Sequence, residues 1–136
     1  MKSNWLFVKL FVQWNCILAS FIIVLSCAQS EDMKSMQVTA TAYTMEESET
    51  KKGNAGLAAW GDQLEPGMKV IAVSRDLISK GLDHNTEVRI EGLEGTYVVR
   101  DKMNKRWKNK IDIFMGKDQE KAMKWGKRKV RIYWSK

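Results

Sequence analysis

Two aspartates eleven residues apart, Asp101 and Asp112, are the side chains in this sequence best suited to acid/base chemistry. Asp112 stands in the run Ile111-Asp112-Ile113-Phe114. Alternation along a strand sends both isoleucines to one face and Asp112 to the other. Carboxylates are poor strand formers, so an aspartate between β-branched residues calls for a wet or functional face. A surface aspartate paired with one of the nearby lysines satisfies the same pattern. A carboxyl group held protonated by burial and by a second carboxylate can act as a general acid.

The elements that must position this pair have a hydrophobic period close to two. Strands are predicted over 37–44, 69–74, 86–91, 96–101, 111–114 and 129–134. A turn at Gly92–Gly95 separates the third and fourth, and one turn of helix follows Ser74. Residues 45–67 form a long loop rich in glycine and charge, the kind of segment that often carries function. The convincing helix spans 118–125, with Asp118 as its N-cap and Gly126 at its end. Trp125 and Trp134 fall at core positions. Six short strands and one short C-terminal helix make the fold class mainly β, a small barrel.

The first thirty residues carry no charge except Lys2 and Lys9, and they include the apolar run Phe21-Ile22-Ile23-Val24-Leu25. This reads as a secretory signal over residues 1–27, followed by a polar tether over 28–36 and the domain over 37–136. A permanent membrane anchor is the alternative. Val24-Leu25-Ser26-Cys27 looks like a lipobox, which would lipidate Cys27 and attach the protein to a membrane. Cleavage after Ala28 would instead release a soluble chain. Export to the periplasm, the outer membrane or the cell wall is therefore expected. With Cys16 inside the signal, the mature chain holds one cysteine at most, which leaves no disulfide and no cysteine metal site. A lone His84 leaves no histidine cluster for zinc. No cofactor and no metal are expected.

Charge is unevenly spread. Residues 31–66 carry a net −4 and residues 67–136 a net +9, within a total of +7. A basic domain favours polyanionic partners. Export and the lack of a recognition helix or ribonucleoprotein motif argue against nucleic acid.

The motif order resembles the three-aspartate domain of stationary-phase survival proteins and of lytic transglycosylases built on a double-psi β-barrel. The resemblance rests on Ala40-Thr41-Ala42-Tyr43-Thr44, Ile71-Ala72-Val73-Ser74, Asp101 with its spacing of eleven to Ile111-Asp112-Ile113-Phe114, and the closing Ala122, Trp125-Gly126 and Val130-Arg131-Ile132-Tyr133. It covers about residues 37–134. Two positions depart from the family pattern. Ser74 stands where the first aspartate belongs, with Asp76 two residues on, and Lys102-Met103-Asn104 replaces a Thr-Gly-Gly.

The resemblance implies a six-stranded double-psi barrel that acts as a monomer on peptidoglycan glycan strands. It implies cleavage of the β-1,4 bond between N-acetylmuramic acid and N-acetylglucosamine in cell-wall turnover. Asp112 would protonate the glycosidic oxygen, and its carboxylate would then accept a proton from the C6 hydroxyl that closes a 1,6-anhydro ring. Asp101 would raise the Asp112 pKa or stabilise charge at C1. Thr41, Tyr43, Ser74, Asp76 and Trp107 are the substrate-binding candidates. Trp107, amid Arg106, Lys108 and Lys110, is placed to stack on a sugar and draw in stem-peptide carboxylates, or else lies in a solvated basic loop. The alternative is a non-catalytic wall-binding module, as in expansin-like double-psi barrels that bind or loosen polysaccharide without cutting it.

Overall fold

The computed structural model describes residues 32–48 and 55–135. The signal segment, Cys16 and Cys27 lie outside the described residues. Six strands close into a barrel: β1 (Lys34–Tyr43), β2 (Val70–Val73), β3 (Glu87–Ile90), β4 (Thr96–Lys102), β5 (Lys110–Phe114) and β6 (Arg128–Trp134). Their order around the barrel is β1-β5-β2-β4-β3-β6. The β1/β5 and β2/β4 pairs are parallel, and the β1/β6, β2/β5, β3/β4 and β3/β6 pairs antiparallel. Among the described residues the helices are short: α1 (Met45–Ser48), α2 (Arg75–Ile78) and α3 (Gln119–Trp125). The expected barrel and C-terminal helix are therefore present. Asp118 caps α3 by accepting from Lys121 N at 2.9 Å, and Gly126 ends it at φ 64°.

Alternation fills the barrel. Val38 and Ala40 of β1, Ile71 and Val73 of β2, Val88 and Ile90 of β3, Val99 of β4, Ile111 and Ile113 of β5, and Val130, Ile132 and Trp134 of β6 all point inward and are buried. Leu77 and Leu82 close one end, and Trp125 packs against the cluster from α3. β1 begins at Lys34, inside the stretch that the sequence reads as a tether, because the end of β6 offers it partners. Lys34, Ser35 and Met36 pair with Trp134, Tyr133 and Ile132, and Met36 rests on the core.

A second, smaller cluster of Ala58, Leu64, Val70 and Phe114, joined by Tyr43 and Met45, lies on the outer face of the sheet. It seats the loop between α1 and β2. Within that loop Leu57 bridges Gln63, and Leu64 N donates to Gly56 O at 2.7 Å, which closes a small hairpin. Gly56 permits this closure. Its φ is 77°, and a Cβ there would lie 2.7 Å from Leu64 O. Gly56→Ala is expected to destabilise the protein by about 1–3 kcal/mol through backbone strain alone. A urea midpoint unchanged from wild type would show that the hairpin adds nothing to stability.

Candidate functional site

Strand pairing places the chemistry on the outer face of the barrel in three successive rows, each two residues along from the next. The apolar row runs Tyr43, Phe114, Val70, Val98 across β1, β5, β2 and β4. The middle row runs Thr41, Asp112, Ala72, Asp101 across the same strands. The third row begins Thr39 and Lys110, with Lys129 of β6 on the far side of Thr39. Paired residues share a face, so Thr41 and both aspartates project together beside the small Ala72.

Asp112 reaches this face by simple alternation, since Ile111 and Ile113 are 0% and 1% exposed in the core. Asp101 does not. Strict alternation from the inward Val99 would turn Asp101 into the barrel as well. The β2/β4 register shifts between Ile71 and Ala72, which pair with Val99 and Asp101, so Arg100 is an extra residue on β4. This bulge re-aims Asp101 outward, a common use of bulges beside functional sites.

Both carboxylates are held by donors. Thr41 Oγ1 donates to Asp112 Oδ1 at 2.9 Å. Asp101 Oδ1 accepts from Ala59 N at 2.7 Å and from Lys102 N at 2.8 Å. The Tyr43 hydroxyl is buried beside the Asp101 carboxylate. Burial pushes its pKa up, and the negative charges of Asp101 and then Asp112 push it further, so the phenol stays protonated. Tyr43 thus presents a neutral O–H to two acidic groups. Its ring packs on Phe114 with centroids 5.4 Å apart.

Ser74 and Asp76 sit one turn away and brace the start of β5. Ser74 is fully buried, and its Oγ accepts from Lys110 N at 3.0 Å. Asp76 accepts from Asn109 N at 2.9 Å. Burial works to raise the Asp76 pKa, but the Asn109 amide, the Ser74 hydroxyl and the nearby Lys108 together hold it below the usual carboxylate value. These two residues fasten the strand that carries Asp112 from beneath. Trp107 is exposed at the Lys110 end of the site. Lys110 Nζ lies 3.8 Å from its ring centroid, and Arg106 flanks it at 5.0 Å.

At the Asp101 end lies a cluster not singled out from the sequence. Trp60, next to the Ala59 that binds Asp101, stacks on His84 with centroids 5.1 Å apart and carries Lys102 Nζ at 5.0 Å. Asp62 bridges Arg100 Nη1 at 2.7 Å and His84 Nε2 at 2.6 Å. Arg100 is the main influence holding the Asp62 pKa below its ordinary value. Burial opposes it and His84 adds to it. Tryptophan in a glycine-rich loop was the available signal. Among the described residues no group of three or more His, Cys, Asp or Glu is placed to hold a metal.

No family model and no curated protein matches the sequence. Solved structures do match in fold. The chain superimposes on the expansin of Clavibacter michiganensis with a TM-score of 0.51 and 16% identity, covering 76% of this chain and 51% of that one. It superimposes on the Streptomyces papain inhibitor with a TM-score of 0.52 and 16% identity, covering 76% of this chain and 96% of that one. The chain thus spans about half the length of the expansin and nearly all of the inhibitor. These likenesses establish a double-psi-type barrel.

Proposed function

We propose that this double-psi barrel is a wall-polysaccharide-binding domain that engages glycan across the Thr41–Asp112–Ala72–Asp101 row. One observation carries the reading: two carboxylates, each already oriented by hydrogen-bond donors, face outward on either side of an alanine. Carboxylates are strong acceptors for sugar hydroxyls, and their prior orientation lowers the cost of binding. Trp60 stands at the Asp101 end of the row and Trp107 beside Lys110 in the neighbouring row, and tryptophan faces suit the apolar side of a pyranose. The fold shared with an expansin supports binding without cleavage. Export, with or without lipid at Cys27, is part of the proposal and would deliver the domain to the wall.

A second reading, cleavage of the glycan by a lytic transglycosylase-type site, is supported by the outward Asp112, which Thr41 orients and which shares its row with Asp101. One such acid can protonate the leaving oxygen. The test is incubation of the purified protein with peptidoglycan sacculi, followed by pelleting and mass spectrometry of the supernatant. Saturable pelleting with no soluble product is expected. Anhydro-muropeptides in the supernatant would move the assignment to the enzyme, and failure to pellet would remove the binding reading.

A further inference from the structure

The hairpin that supplies Ala59 N–H to Asp101 is anchored by its own Asp62. That carboxylate takes one hydrogen bond from Arg100, the bulged residue of β4, and one from His84, in the turn before β3. Its side chain is 18% exposed, and those of His84 and Arg100 are 32% and 40% exposed, so both bonds are partly open to water. The turn between Ala58 and Asp62 is closed on itself: Ala58 N donates to Asp62 O at 2.8 Å, and Gly61 N to Ala58 O at 2.9 Å. Ala59 N and the Asp62 carboxylate therefore belong to one stiff unit, and fixing one fixes the other. Trp60, at the tip, adds its stacking on His84.

We propose that Asp62 is a positioning residue for Asp101. Gripped by Arg100 and His84, it sets the Ala58–Asp62 turn as a latch, and the latch holds the Asp101 carboxylate in its outward orientation through Ala59 N–H. Without the latch, Asp101 Oδ1 loses the Ala59 amide and keeps the amide of Lys102, its own neighbour in the chain, with the Tyr43 hydroxyl beside it, so its side chain is less tightly held. Losing both of the Asp62 bonds loosens the tip of the turn, while Ala58 and Leu64 keep its base seated on the outer cluster. The functional consequence rests on the glycan-binding reading of the row. The latch itself does not.

Hydrogen exchange at the Ala59 amide in the full-length protein reads the latch directly. Asp62→Ala is expected to speed that exchange roughly tenfold, leaving the amides of Ile71, Val99 and Ile113 unchanged. It is expected to weaken sacculus binding roughly fivefold, through the loosened Asp101. Asp62→Asn keeps an acceptor for Arg100 but loses the charge and places an N–H group toward His84, and it is expected to restore part of both. Unchanged Ala59 exchange in Asp62→Ala overturns the proposal, as does faster exchange with full sacculus affinity. If Asp62→Ala does not fold, His84→Ala removes one of the two grips and is expected to speed Ala59 exchange about threefold. No change there overturns the latch equally. Should the wild-type protein not bind sacculi at all, the polysaccharide reading falls, and the exchange experiment still decides the latch.

Discussion

Replacing Ile113 with alanine is expected to cost about 3 kcal/mol of stability and to lower the melting temperature by roughly 10–20 °C. Ile113 is 1% exposed. It pairs with Ile71 on one side and Ala42 on the other, in the middle of a closed barrel whose inner residues cannot collapse into a void without moving a strand. The loss combines the hydrophobic transfer of the deleted carbons with the cavity they leave. Domains of this size have about 5–15 kcal/mol in total, so the variant should remain folded at room temperature with a much lower urea midpoint and an unchanged m-value. A melting temperature within two degrees or so of wild type would mean that the inward assignment of β5 is mistaken. The assignment of Asp112 to the outer face would fall with it, because the two residues are neighbours on one strand.

That dependence shows which parts of the site were legible. The facing of Asp112 follows from Ile111-Asp112-Ile113 and period-two geometry, and the structure agrees. The six strands and α3 were equally plain, since each has alternating apolar residues or a cap. The facing of Asp101 was not. It depends on one extra residue, Arg100, and nothing in Val98-Val99-Arg100-Asp101 marks a bulge, for there is no glycine or proline. A bulge is set by the register of the partner strand β2, which lies about 30 residues earlier in the chain. The Asp62 bridge was hidden for the same reason. Its partners are 22 and 38 residues away in sequence, and only barrel closure brings them together. Ser74 illustrates a subtler limit. The sequence placed it beside the site, but only the packing shows that its hydroxyl faces Lys110 N from a fully buried position.

Asp112→Asn is expected to leave stability within about 1 kcal/mol of wild type while weakening sacculus binding by roughly 10- to 100-fold. The amide is the same size, and its oxygen can still accept from Thr41 Oγ1, so the packing of β5 is undisturbed. What disappears is the negative charge. A hydrogen bond to a charged group is stronger than one to a neutral group, and the amide nitrogen now presents donors where a sugar hydroxyl needs an acceptor. Thr41→Val separates orientation from charge, because it removes the donor and keeps the carboxylate. A smaller loss, about threefold to fivefold, is expected there. If the site cleaves glycan instead, the same Asp112→Asn protein would still pellet with sacculi but release no product, since an amide cannot donate the proton that the leaving oxygen needs. Full binding by Asp112→Asn with no product from wild type would place the glycan contact elsewhere on the surface. The exposed Trp107, with Lys110 against its ring, would then be the first position to replace.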